Sequence, residues 1–482
     1  MTTPIPPNHC AFTLGEAAAA VGGLLRGGNP DSRATSVSID TRTLEPGAIF
    51  LALRGAADGH AFVAEAARHG AAATIVEASR AFHGIASIEV PDTLEALGNL
   101  ARAHLERVRA ARDLPIITIG GAAGKTTTKE LTAAAARAIF GPTLATPGNL
   151  NNRIGVPMTI FTLTEAHRAA VLECGTNTRG EIAQLGAIVS PDAAAVLNIA
   201  IEHSEGLGSL EEIAAEEAAI FAAARRAVII PANEPILSRW LPKQLRAITF
   251  GTAPGADVRV KMRTALPDGR QRIALELSPA LLAPGASPAL IADLHLLGAA
   301  AALNCAAALA LIAAALNAPL AAGQIETIAA VFSAATPIAR RMVPLEIGGA
   351  LVLDDSYNAQ PPSMRIAIDT AREVAAAHRA RLLLALGDML ELGALAPAAH
   401  DDALAHAIDA GAAIIIAVGS QMRAAVERVP PEARSKCDLR SVPDSAAAAP
   451  IVRGALRRGD VLLVKGSLGI AMDRVIAGLL PQ

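Results

Sequence analysis

The sequence predicts an α/β protein of three domains. Three observations lead there. A length of 482 residues gives about three domains at roughly 150 residues each. Short apolar runs alternate with alanine-rich helical stretches along the chain, the pattern of parallel sheets covered by helices. A glycine turn within 118–130 joins an apolar run to a helix, the arrangement that binds phosphate.

The first unit, 1–112, carries strands at 36–39, 49–53 and 73–76 between helical stretches. A helix over 94–111 leads into the junction Asp113-Leu114-Pro115. The second unit, 113–335, opens with the apolar run 114–119. Further strands at 169–173, 193–199 and 227–231 alternate with helices and predict a parallel sheet. Residues 245–290 are richer in Pro and Gly, and the alternating runs 258–263 and 272–277 predict a side hairpin. The third unit, 336–482, places strands at 351–354, 382–386, 413–418 and 461–464, with helical stretches between them. That alternation predicts an open, doubly wound, Rossmann-like sheet with its ligand edge at the strand C-termini, where Gly387-Asp388, Gly419-Ser420 and Gly466-Ser467 fall.

Composition narrows the function. A net charge of −3 gives no pull towards nucleic acid or an anionic membrane. One Trp, one Tyr and nine Phe are too few for single-strand binding by stacking. Cys10, Cys174, Cys305 and Cys437 are far apart with no metal spacing, which fits a reduced, cytoplasmic protein. No basic region precedes an apolar core at the N-terminus, so no signal peptide is expected. The uncharged stretch 296–316 is long enough to span a bilayer. It is mostly Ala, carries Asn304 near its middle and lacks an aromatic belt, so a buried helix of a soluble protein is expected.

The chemistry concentrates at the strand ends. Gly120, Gly121 and Gly124 permit a tight loop, and its backbone N–H groups, through Ala122 and Ala123, face the phosphates. Lys125 reaches the terminal phosphates, and the Thr126 hydroxyl can sit on Mg²⁺, with Thr127 following. The loop fits GxxGK[ST]T, because Ile119 holds the first-glycine position of the longer form. ATP or GTP is the expected ligand. The helix is expected over 129–140, ending at Gly141-Pro142. The amide-rich run 146–157, with Asn149, Asn151 and Asn152, can hydrogen-bond a polar substrate; alone it would read as a connecting loop. Glu173 closes a buried strand beside the phosphate loop and is a candidate Mg²⁺ ligand. His203 follows the next strand on the same edge. Asp354, Asp355, Tyr357 and Asn358 open the third unit's ligand edge, and Arg340 can reach a transferring phosphoryl group. Alone, Arg340 and Arg341 read as a solvated basic pair.

These residues resemble one family, the ATP-dependent Mur ligases of peptidoglycan synthesis. The resemblance covers nearly the whole chain: Asp40-Thr-Arg42, Pro46-Gly47, Asp58-Gly-His60, GKTTTKE at 124–130, GNLNNRIGVP at 148–157, HSEGLGS at 203–209, DDSYNA at 354–359, LGDMLELG at 386–393 and Lys465-Gly-Ser467. GKTT marks only the broad family. DDSYNA and LGDMLELG resemble the member that adds a dipeptide. The resemblance implies a UDP-sugar domain at 1–112 with Asp40, Thr41 and Arg42 at the nucleotide, an ATP domain at 113–335 and a ligase domain at 336–482. It implies ATP and Mg²⁺ as cofactors, UDP-N-acetylmuramoyl-tripeptide and D-alanyl-D-alanine as substrates, a monomer, and no nucleic-acid or membrane partner. Lys125 would cradle the β- and γ-phosphates. Thr126 and Glu173 would hold one Mg²⁺, with His203 near a second. Asn304 would lie on the adenine side, Arg340 at the γ-phosphate, and Asp355 would position ATP across the domain gap. Asn149, Asn151, Asn152, Tyr357 and Asn358 are expected at the substrates.

The chain departs from the family pattern at several positions. Ala122 and Ala123 replace a small polar residue and Asn, Ala300-Ala301 replace His-Asn, Ala339 replaces Gly, and Leu468 replaces Arg. Where the family carries a Lys carbamylated by CO₂, alignment of 213–221 places Glu217, with Glu216 beside it. A Glu is a carboxylate without carbamylation, so Glu217 is expected to make catalysis independent of CO₂. Two other readings remain open in the sequence: a sister ligase adding a single amino acid, and a degenerate homologue that binds nucleotide without catalysis.

Overall fold

The structure is a computed structural model and describes residues 3–55, 57–78, 84–201, 204–266 and 269–480, without the side chains of 204 and 205. The chain builds three α/β units in sequence order, each around its own sheet.

The first sheet runs in the order Leu24–Arg26, Ser87–Val90, Ala73–Glu77, Ile49–Leu51, Val37–Ser38. Its strands are parallel except Leu24–Arg26 at the edge. The helix Thr93–Ala111 starts where Asp92 accepts the Leu94 and Glu95 amides at 2.7 and 3.0 Å, an N-cap at the position the sequence favours. Its buried stripe carries Leu97, Leu100, Ala101 and Leu105. His104, on the same helix, meets Phe12 edge-on and Phe161 of the second unit at 6.4 and 6.5 Å between ring centres.

The central sheet has nine strands. From one edge they are Thr143–Ala145, Ala169–Glu173, Ile116–Gly120, Ala193–Val196, Ala227–Pro231, Arg246–Gly251, Val258–Ala265, Gln271–Leu277 and Ala289–Leu294. The first seven pair in parallel and the last two join antiparallel. The expected side hairpin is therefore part of the main sheet. Leu290, Ala292 and Leu294, like Ile273, Leu275 and Leu277, alternate inward and are buried. They join the core that surrounds the helices Gly298–Leu316 and Ala322–Ala334. Gly298–Leu316 is long and apolar enough to cross a membrane, yet it packs against the helix Lys125–Phe140 and the strands Arg246–Gly251 and Val258–Ala265. The expected strand 193–199 stops at Val196.

The third sheet runs Val343–Ile347, Ala350–Asp355, Val461–Lys465, Leu382–Gly387, Ile414–Val418, Asp438–Val442, with only the first pair antiparallel. This is the doubly wound unit expected. Its contacts with the central unit include an ion pair and a close approach. Arg263 holds Glu373 through two bonds of 2.8 and 2.9 Å. The Thr370 side chain lies against Gly298, where a Cβ would stand 2.3 Å from its hydroxyl. Together these contacts place the strand C-termini of the second and third units around one cleft.

Candidate active site

The cleft has a volume of about 450 Å³, within the range of small-molecule sites. One wall comes from the central unit: Ala122 to Thr127, Asn149, Asn151, Asn152, Glu173 and Asn304. The other comes from the third unit: Arg341, Asp355, Tyr357, Asn358, Thr370 and Lys465.

The phosphate loop forms because glycines allow it. Gly121 and Gly124 hold φ of 109° and 88°, a region L side chains rarely adopt. A Cβ on Gly121 would also stand 2.7 Å from the Leu197 amide nitrogen. Gly124 ends the loop, so the helix begins at Lys125, one turn earlier than the residues alone suggest. Asn198 braces the loop: its side chain accepts the Ala123 amide and donates to the Ala123 carbonyl, both at 2.8 Å. The Ala122 amide donates to the Asn198 carbonyl as well, at 3.1 Å, so these two amides brace the loop on the next strand's end and do not face the phosphates as the sequence suggests. Lys125 Nζ donates to the Gly121 carbonyl. A Cβ on Gly124 would stand 2.7 Å from Asn304 Oδ1, so Asn304 belongs beside the loop.

Glu217 lies beneath this loop. It is buried, and its Oε2 accepts the Gly121 amide at 2.7 Å. Burial pushes its carboxyl above the ordinary range, against the opposing pull of Lys125 and the Gly121 amide. Glu216 is buried as well, but it turns the other way and accepts the Gly180 and Ile182 amides at 2.7 and 2.8 Å.

Glu173 is 2 % exposed. Its Oε1 accepts Asn151 Nδ2 at 2.8 Å, while its Oε2 has no hydrogen-bond partner among the described residues. An unsatisfied buried carboxylate oxygen is costly. With the Thr126 hydroxyl on the same cleft wall, it gives a hard oxygen donor set that fits Mg²⁺ completed by phosphate oxygens and water. His203 lies outside the described residues. Asn152 has a structural share: its side chain accepts the Ile154 and Gly155 amides at 3.1 and 2.8 Å, just ahead of the helix Gly155–Ile160.

On the opposite wall, Asp355 accepts the Met342 amide at 3.0 Å and the Lys465 ammonium at 2.6 Å. Lys465 is 2 % exposed and also donates to the Asn358 carbonyl at 2.9 Å. Neither Lys465 nor Arg341 was singled out by sequence as a site residue. The Arg341 guanidinium stacks 4.2 Å from the centre of the Tyr357 ring, so the two neighbouring arginines are not a solvated pair. Arg340, at φ 63°, bonds the Ser356 hydroxyl and carbonyl at 3.1 and 2.7 Å and Asp473 at 3.1 Å. It does not line the cleft in this arrangement.

Asp40, Thr41 and Arg42 stay within the first unit, away from this cleft. The Arg42 guanidinium holds Asp40, and that bond keeps the Asp40 carboxyl below its ordinary range. Thr41 is buried, and its carbonyl meets His69 Nδ1 at 2.9 Å.

Three family models match in order: the Mur ligase family catalytic domain at 33–105, the Mur ligase middle domain at 119–312 and the Mur ligase glutamate ligase domain at 340–468. The Escherichia coli UDP-N-acetylmuramoyl-tripeptide–D-alanyl-D-alanine ligase is 32% identical over 97% of this chain and 98% of its own length. The Treponema pallidum enzyme of the same name is 31% identical over 91% and 92%. Among solved structures, MurF from Acinetobacter baumannii superposes with a TM-score of 0.85 at 29% identity, covering 99% of both chains. MurF from Thermotoga maritima in complex with ADP shares the fold at a TM-score of 0.77 and 23% identity, over 92% of this chain and 96% of that one. With its cleft geometry and these relatives, the chain belongs to the Mur ligase family.

Proposed function

We propose that this chain is an ATP-dependent ligase that joins D-alanyl-D-alanine to UDP-N-acetylmuramoyl-tripeptide, acting as a cytoplasmic monomer. The observation that carries the reading is the cleft itself. A phosphate loop on one wall faces Asp355, Tyr357, Asn358 and Lys465 on the other, so nucleotide and amine donor meet where two units face each other. The units are assigned as 1–112 for the UDP-sugar, 113–335 for ATP and 336–482 for the dipeptide.

Lys125 and the loop Gly121-Ala122-Ala123-Gly124 grip the β- and γ-phosphates through the Gly124 amide and the amides of the first helical turn, Lys125, Thr126 and Thr127, while the Gly121, Ala122 and Ala123 amides hold the loop's shape on Glu217 and Asn198. Asn304 sits on the adenine side, and Asp355 positions ATP across the gap. Thr126 and Glu173 would hold Mg²⁺, with His203 near a second ion; the metal supplies charge neutralisation on the phosphates. The tripeptide's terminal carboxylate oxygen attacks the γ-phosphorus as the bond to ADP breaks, giving an acyl phosphate. The neutral dipeptide amine then attacks the acyl carbon, phosphate leaves, and the amine proton passes to solvent. Arg340 contacts the γ-phosphate once released from Asp473 and Ser356. Asn149, Asn151, Asn152, Tyr357 and Asn358 hold the peptide substrates; Asp40, Thr41 and Arg42 hold the uridine diphosphate. Glu217 takes the place of the carbamylated lysine.

Phosphate release from ATP, measured with the tripeptide and the dipeptide singly and together, tests the reading. Release requiring both supports it. Release with the tripeptide and a single amino acid, or no release at all, overturns it.

A further inference from the structure

Lys125 lines the cleft, but a second lysine of the same helix keeps its ammonium wholly inside the protein. Lys129 has no exposed surface. It lies three residues after Thr126, hence on the same face of the helix Lys125–Phe140 and one turn deeper. Its Nζ donates to the Thr146 carbonyl at 2.7 Å and to Glu130. The Glu130 side chain is 44 % exposed, so the ammonium shares a half-solvated carboxylate while itself fully buried. Taking an ammonium out of water costs several kcal/mol, and an apolar side chain would fill this space at less cost. The arrangement therefore calls for what the ammonium holds.

It holds Thr146. That residue is 1 % exposed and follows the edge strand Thr143–Ala145. Its amide donates to the Val171 carbonyl at 3.1 Å, and its hydroxyl accepts the Glu173 amide at 2.9 Å. Glu173 is thus fixed from two sides: its backbone by Thr146, its Oε1 by Asn151. What remains is Oε2, buried, without a partner among the described residues, on the cleft wall that carries Thr126.

We propose that Lys129 and Thr146 are positioning residues for Glu173, forming a relay from ammonium to carbonyl and from hydroxyl to amide that aims Glu173 Oε2 at a divalent cation. This deepens the function proposed above and rests on its assignment of Glu173 as a metal ligand. The relay does not touch nucleotide or metal. It acts by fixing the peptide from which the ligand projects, and supports of this kind are worth roughly ten- to hundred-fold in metal affinity.

The test uses the full-length chain with ADP and Mn²⁺ as the probe, Mn²⁺ binding being read by electron paramagnetic resonance apart from turnover. Thr146→Val removes the hydroxyl but keeps the shape and the carbonyl, and it should weaken Mn²⁺ binding about ten-fold. Thr146→Ser restores the hydroxyl and should bind within about two-fold of wild type. Lys129→Met should weaken binding like Thr146→Val; if that variant does not fold, the two threonine variants decide. Glu173→Gln is the control for the underlying reading. If Glu173→Gln binds Mn²⁺ as wild type does, the ligand assignment itself fails. If Glu173→Gln loses the ion while Thr146→Val binds it normally, only the relay is overturned. A Thr146→Val chain with a lowered melting temperature but unchanged Mn²⁺ affinity likewise reduces the relay to ordinary core packing and overturns it.

Discussion

Glu217 Oε2 lies 2.7 Å from the Gly121 amide nitrogen, directly under the phosphate loop. A Cβ on Gly120 would stand 2.7 Å from the same oxygen, so the bare Gly120 is what admits a carboxylate there. The carboxylate needs no CO₂ to exist. Turnover of the exhaustively decarbonated chain should therefore be unchanged when bicarbonate is added. Glu217→Gln keeps an acceptor for the Gly121 amide and removes the ionisable group; it should cost about a hundred-fold in turnover. Glu217→Lys should regain activity only with bicarbonate. Bicarbonate-dependent wild-type turnover would refute the assignment.

Lys125 is the cation of the loop, and its ammonium rests on the Gly121 carbonyl. Lys125→Ala removes the group that meets the terminal phosphates while leaving the glycine geometry and the helix start intact. Turnover should fall by about a thousand-fold, with circular dichroism and melting temperature close to wild type. Near-normal turnover would reject the loop as the phosphate site.

How far the site was legible in sequence depends on the range of the interaction. The phosphate loop is local: Gly121, Gly124 and Lys125 specify their own backbone, so a short window reveals it. Glu173 is legible because a carboxylate ending an apolar run stands out. Glu216 and Glu217 are different. Neighbours on a helix, they look alike as letters, and either could have faced solvent. The structure inserts the helix Leu210–Ala218 between two loops and buries both, one on Gly121, the other on Gly180 and Ile182. Lys465 and Asp355 meet across 110 positions of sequence, and no periodicity announces such a pair. The strands Arg246–Gly251, inside the central sheet, and Ala289–Leu294, at its edge, escaped because turn-rich flanks masked their alternation.

His104 joins the first unit to the second and should make that junction acid-sensitive. Its Nδ1 faces the Arg107 guanidinium at 3.1 Å and its Nε2 faces the Leu163 carbonyl at 3.3 Å. That environment fits a neutral ring donating from Nε2. Burial first, and then Arg107, lower its pKa from 6.5 to about 4. The unfolded chain takes up this proton near pH 6.5 and the folded one only near 4. Stability from this group is therefore complete above pH 6.5 and is lost as pH falls towards 4, by roughly 2–3 kcal/mol. His104→Gln keeps a donor and does not titrate. Urea titrations of the two chains between pH 7.5 and 4.5 should diverge, with the variant losing less; parallel losses would assign the acid sensitivity elsewhere.

Lys465 and Asp355 separate stability from catalysis. The Lys465 side chain is 3 % exposed and that of Asp355 16 %, so removing one partner leaves the other charged and poorly solvated. Lys465→Met should destabilise the third unit by roughly 3 kcal/mol, seen as faster hydrogen exchange in the strand Val461–Lys465. Adding Asp355→Asn removes the stranded charge while leaving an acceptor for the Met342 amide, so exchange protection should return most of the way. Turnover should not return, because Asp355 is the carboxylate assigned to ATP across the gap. A double variant that recovers both protection and turnover would show that this ion pair serves only to hold the unit together. A double variant that recovers neither would mean that Lys465 supports the Asn358 carbonyl more than it does Asp355.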